Sequence, residues 1–329
     1  MKMMKKIFIM EDYFLKMNIE YFIDSKKEYN IDTIKKVKCD IFISCYNDSE
    51  RVLKIFTNIC ANEKIWIIIP EYQYNKSEYP KGNILEGKSY NEAELIISTI
   101  GNYLKDKSDL SICIDVTGFM RPHIIFLIKF MYISNIKNYN IIYSEPSYYS
   151  KKSDTSFTES DVEEVRQISS FEGCHNRNIT NDILILGVGY DHNLMSRVIL
   201  NKDQARLIFL FGLPSLSADM YQESLLRFNR VSANSIKVSN NNTFFTSVND
   251  PFVNANMLSN IYKHIKKKQE KFNVYLCPLS TKPQALGFTL FYMKELQKEA
   301  ASIIFPFSSS YSRETSKGIG RIWLYPINL

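Results

Sequence analysis

Two short polar segments of this chain set hydroxyls, a cation and a proline directly after an apolar run. In SICIDVTGFMRPH they are Asp115, Thr117, Gly118, Arg121 and Pro122; in LCPLSTKPQ they are Ser280, Thr281, Lys282 and Pro283. Where a buried strand ends and a helix begins, the first helical N–H groups lack partners and the positive end of the dipole points outward, which favours an anion. Threonine and serine add donors, glycine permits close backbone approach, lysine or arginine supplies charge, and proline in the first turn gives up no hydrogen bond. Such a residue set suits phosphate. It has a plain structural use as well, because Thr and Pro start helices in many proteins.

Two further turns share a composition. Ser44, Tyr46, Asn47, Asp48, Ser49 and Arg51 follow one apolar run, and Gly187, Gly189, Tyr190, Asp191, His192 and Arg197 follow another. A tyrosine and an arginine recur in both, able to stack on a base or grip a phosphate, or simply to cover a surface and start a helix. The GVG piece has no third glycine, so an ordinary dinucleotide fold is not expected. Tyr148 and Tyr149, then Tyr311 and Arg313, come after later apolar runs and offer further stacking faces; Lys317 and Arg321 flank two glycines near a final apolar run. Catalytic residues are not assigned. His123, His175, His192 and His264 are dispersed, with no nucleophile elbow, HExxH or phosphate loop around them. His123 and Asp115 are the acid–base candidates, against helix-start and capping uses.

The elements that must position these loops alternate. Apolar runs at CDIFISC, KIWIII, LSICID and NYNIIY are separated by helical patterns, and the order repeats from NDILILG through ARLIFLF, NVYLCP and AASIIF. This predicts an α/β fold of two similar Rossmann-like halves, each a mostly parallel sheet flanked by helices. The first half is placed at 1–152, a polar linker with a short helical portion (DVEEVRQI) at 153–180, and the second half at 181–329. Arg121 and Lys282 are 161 positions apart, and so are Ile142 and Ile303, each in the next apolar run. If the duplicated halves set the two cation-bearing loops side by side, the loops form one composite cleft.

The 329 residues are enough for two cores. Six scattered cysteines without a CxxC pair read as buried thiols of a reducing compartment, so a cytoplasmic protein without a metal site or other cofactor is expected. HIIFLIKFMYI is too short to span a bilayer and reads as a buried crossover helix, so no membrane partner is expected. The net charge of +6 is modest, and KHIKKKQEK reads as a solvated helix face or a phosphate contact, leaving direct DNA or RNA binding open.

The strand, Thr-Gly and helix-opening cation of DVTGFMRPH, with the shorter PLSTKPQALG, resemble the ligand loop of CARF domains, Rossmann-like sensors of cyclic oligoadenylates in CRISPR-linked immunity. Two such halves in one chain resemble the SAVED arrangement of sensors in bacterial antiphage defence. The paired glycines of that loop are not reproduced: Phe119 follows Gly118, and no glycine precedes Lys282 in its loop. The resemblance implies a sensor or adaptor that binds a nucleotide, cyclic oligonucleotides included, and signals to an effector protein. Two alternatives stay open: a nucleotide-processing enzyme (a ring nuclease or N-glycosidase), and a structural subunit of a defence complex.

Overall fold

The computed structural model describes residues 19–22, 24–149, 162–175, 181–214, 222, 224–226, 228, 242–313 and 316–329. Its strands are β1 (Lys27–Tyr29), β2 (Lys38–Cys45), β3 (Cys60–Ile68), β4 (Asn83–Glu86), β5 (Ile112–Asp115), β6 (Tyr139–Ser144), β7 (Tyr148–Tyr149), β8 (Glu164–Gln167), β9 (Asp182–Gly187), β10 (Arg206–Gly212), β11 (Thr243–Thr246), β12 (Asn273–Pro278), β13 (Ala301–Phe307), β14 (Ser316–Lys317) and β15 (Ile322–Pro326). One sheet runs β1-β15-β6-β5-β2-β3-β4 and the other β11-β10-β9-β12-β13-β8, while β7 and β14 form a ladder of their own. In each large sheet five strands are parallel, and their chain order across the sheet is third, second, first, fourth, fifth. That is the Rossmann order, present twice.

The repeat extends to register. Asp115 lies beside Ile142 in the first half and Leu276 beside Ile303 in the second, so the cross-strand pairs themselves keep the 161-residue spacing. Parallel strands need crossovers; that from β3 to β4 holds only short 3-10 turns, and α-helices serve others: α1 (Glu50–Asn58), α2 (Glu92–Ile96), α3 (Arg121–Ile133), α4 (His192–Asn201), α5 (Pro251–Lys268) and α6 (Lys282–Phe291). In α3 the run Ile124 to Ile128 is buried on every side, as is Ala285 to Phe291 in α6. Helices apolar all round must lie inside. They pack against each other and merge the halves into one continuous core.

Two boundaries differ from the sequence expectation. Within 153–180, the EVRQ of the expected short helix is instead strand β8, antiparallel to β13; residues 153–161 and 176–180 lie outside the described set. The second half does not extend to 329, because β15 crosses back and inserts between β1 and β6, antiparallel to both. The period of two in IWLYP explains it: Trp323 and Tyr325 face the shared core, while Ile322 and Leu324 face the opposite side of the first sheet. A strand buried on both faces belongs inside a sheet.

A second tie joins the halves at the other end. Arg166 of β8 binds Glu92 at the start of α2 through Nη2–Oε2 at 2.8 Å and Nη1–Oε1 at 3.1 Å, the Ser169 N–H donates to the same carboxylate at 2.8 Å, and the guanidinium lies 3.5 Å from the centre of the Phe307 ring. Glu92 is fully buried. Burial alone would raise its carboxyl; the bonds from Arg166 and Ser169 outweigh that and hold it below the usual carboxylate range.

Among the described residues, no helix is long and apolar enough to cross a membrane, and no group of three His, Cys, Asp or Glu side chains is placed to hold a metal ion.

Candidate functional site

In an open parallel sheet the crevice lies where the strand order reverses, here between β2 and β5 and again between β9 and β12. Packing α3 against α6 sets these two crevices face to face, and a cleft of about 1170 Å³, open mouth included, lies between them. Ser49, Arg51, Thr117 and Arg121 line it from the first half; Gly189, Tyr190, Ser280, Thr281, Lys282, Tyr311 and Arg313 line it from the second.

Arg121 and Lys282 open equivalent helices, and each reaches across to the other half. The Arg121 Nε donates to the Ser280 carbonyl at 2.6 Å, and the Lys282 ammonium donates to the Thr117 carbonyl. The crossed bonds make a pseudo-symmetric bridge over the cleft floor. Both cations therefore hold the halves together as well as charging the cavity, which sequence reasoning did not anticipate.

Arg51 sends Nη1 to the Ser144 carbonyl at 2.5 Å and Nη2 to the Ser316 hydroxyl at 2.7 Å, while its buried Nε has no partner among the described residues. Arg313 bonds the carbonyls of Tyr72 and Gln73, pairs with Glu78 at 2.7 Å and stacks over Tyr74. Among the described residues four cations thus line the cleft, and no Asp, Glu or His does. The consequence falls on Lys282: burial, then the nearby guanidinium groups of Arg51 and Arg121, push its ammonium down to about 7.

Several nominated residues serve the scaffold instead. Ser44 is fully buried in β2 and donates to Asp115 Oδ2 at 3.0 Å, behind the cleft; burial raises the Asp115 carboxyl, against that bond and the Thr117 N–H at 2.9 Å. Tyr46 packs on Trp66 and Tyr74 in a satellite cluster, away from the cleft. The Thr117 hydroxyl accepts the Ser144 N–H at 3.0 Å, leaving its backbone carbonyl as the group that meets Lys282. Thr281 caps α6 and donates to the Val248 carbonyl at 2.5 Å. The side chain of Tyr149 lies outside the described residues; its backbone pairs with Ser316. His123 is buried behind the wall, with Nε2 3.2 Å from Glu71 Oε1.

The nominated glycines Gly118 and Gly189 let neighbouring loops approach closely. A Cβ on Gly118 would lie 2.0 Å from the Cys45 carbonyl oxygen, and one on Gly189 would lie 2.0 Å from that of Leu279. In each half a single glycine lets the loops after the first and fourth strands touch, but it comes from the fourth-strand loop in one half and the first-strand loop in the other. Gly118→Ala and Gly189→Ala should each cost about 1–3 kcal/mol by forcing those loops apart. Urea denaturation measures this; a change under about 0.5 kcal/mol at either site would show that the loops yield freely.

Tyr72, Tyr143, Val248 and Ser316 also line the cleft and were not nominated. Tyr72 follows the second strand of the first half, so the rule that ligand loops follow strand ends would have found it. Tyr143 lies within β6 and Ser316 depends on the β7–β14 ladder, and neither leaves a local signal.

No protein-family model matches the sequence, and no curated protein matches it. Among solved structures the chain is similar to a CobK precorrin-6A reductase, at 7% identity over 80% of this chain and 87% of that one with a TM-score of 0.23. It is likewise similar to an N-terminal ketoreductase from a macrolactin assembly line, at 10% identity over 91% of this chain and 79% of that one with a TM-score of 0.24.

Proposed function

We propose that the cleft between the halves binds a phosphate-rich nucleotide, and that the protein is a sensor or adaptor whose ligand state is read by an effector partner. The observation that carries this reading is a cavity lined by Arg51, Arg121, Lys282 and Arg313, with no carboxylate among the described lining residues, at the paired switch points of two Rossmann-like halves. Crowded cations at that position call for a bound anion. Tyr72, Tyr143, Tyr190 and Tyr311 add aromatic surface for a base. Binding is preferred over turnover because no His, Asp or Glu is among the described lining residues; Lys282, brought down to about 7, is the group that would act as general base if the ligand were converted. The resemblance of DVTGFMRPH to the CARF loop makes cyclic oligonucleotides the first ligands to try and antiphage defence the setting.

A thermal-shift panel of mono-, di- and cyclic nucleotides tests the proposal, with mass spectrometry of the recovered ligand. A ligand at one hundred times its Kd should add about 2.7 kcal/mol of stability and be recovered intact. A panel without any shift would overturn the binding reading; conversion of the ligand would replace the sensor with an enzyme.

A further inference from the structure

The two crevices are alike in topology but differ at their helix ends. In the second half both helices that open on the cleft are capped from within: Asp191 Oδ1 accepts the N–H groups of Asn193 and Leu194 at 3.1 and 3.2 Å at α4, and the Thr281 hydroxyl accepts that of Gln284 at α6. In the first half neither is. Ser49 at α1 and Met120 at α3 make no side-chain cap bond, though both line the cleft.

Ser49 supplies the second observation. It is 4% exposed, it lines the cleft, and its hydroxyl has no partner among the described residues. Serine at an N-cap ordinarily bonds the second or third helical N–H; this one is left for something else. The Nε of Arg51 and the hydroxyl of Ser144, which is joined to Arg51 through its carbonyl, are likewise buried without partners among the described residues. The neighbouring Asp48 is exposed and accepts the Tyr46 hydroxyl at 3.3 Å.

The geometry points to one phosphoryl subsite, in the first half only, formed by the uncapped ends of α1 and α3 with Ser49 and Arg51, and completed by Lys282 from the second half. The inference rests on the anion-binding reading above and sharpens it. A group with three acceptor oxygens satisfies the Ser49 hydroxyl and the open helix ends while neutralising the crowded cations. Asp191 fills the matching position of the second half with a carboxylate of the protein's own. A ligand's single phosphoryl group therefore settles on one side, and the rest of the ligand lies toward the second half.

The substitution that copies the second half onto the first is Ser49→Asp. Phosphorus NMR titrations of inorganic phosphate and AMP against the full chain should show affinity at least tenfold weaker for Ser49→Asp, three- to tenfold weaker for Ser49→Ala, and within twofold of the parent for Asp191→Asn. Circular dichroism checks folding, and Ser49→Ala decides alone if the aspartate variant does not fold. Parent-like binding by the folded Ser49 variants, or an equal loss in Asp191→Asn, would overturn the one-sided subsite while leaving the cleft reading in place. If the parent binds neither probe nor any nucleotide of the panel, the cleft reading itself fails, and the subsite with it.

Discussion

At pH 6 the Lys282→Met variant should unfold at a higher temperature than the parent chain and gain no stability from a nucleotide that stabilises the parent. Lys282 is held among Arg51 and Arg121 with its ammonium pushed down to about 7, so below that pH the folded chain carries a charge its surroundings disfavour. The sign follows from proton binding. Between about 7 and the ordinary lysine value the unfolded chain holds a proton that the folded chain has released, so this residue makes stability rise with pH across that window. Below about 7 the penalty is complete, with an upper bound of about 5 kcal/mol that the cleft's open mouth reduces. Methionine removes the charge and keeps the unbranched stem, at the cost of a charged donor's bond to the Thr117 carbonyl, about 1.5–3 kcal/mol. The same titration acts on the ligand: above pH 7 an anion must bring a proton onto Lys282, so affinity should fall by up to tenfold per pH unit. Calorimetric unfolding and nucleotide titration at pH 6, 7.5 and 9 check both. A variant less stable than the parent at pH 6 would mean that Lys282 is chiefly a fastener between the halves.

Arg166→Met should cost about 3–5 kcal/mol at pH 7, the usual penalty for stranding a buried charge. Glu92 is fully buried, and Arg166 supplies two of its bonds. Because the Glu92 carboxyl is held low, its contribution is present at neutral pH and fades as pH falls through the folded value. The loss should therefore shrink at pH 5, where a stranded Glu92 can take up a proton. Arg166→Met with Glu92→Gln should recover part of it at pH 7, since no unpaired charge then remains. Urea denaturation of the single and double variants at both pH values measures this. An equal loss at pH 5 and pH 7, unrelieved in the double variant, would assign the cost to the Phe307 contact instead.

The alternation of apolar runs was legible because parallel strands buried on both faces must be apolar almost throughout, as NVYLCP and DILILG are. The spacing of Arg121 and Lys282 was legible for a related reason: both open a helix, a position set by local chemistry. What stayed hidden depends on distant partners. Ser44 and Gly118 carry residue types that suit a ligand loop, yet an aspartate on the neighbouring strand claims one and a carbonyl pressed against the chain requires the other. From the sequence Ser49 is one of several polar turn residues. Only the comparison of two capped helix ends with two uncapped ones gives it a distinct meaning. EVRQ reads equally as helix or strand, and the free edge of β13 decides.

The return of β15 to the first sheet has a consequence in time. On a ribosome adding 5–20 residues per second, β15 emerges about 10–40 s after β6, the strand it must join. Until then β6 presents an unpaired edge that invites pairing with another nascent chain. The first half is begun first and finished last, so its sheet closes only after every strand of the second sheet has been made.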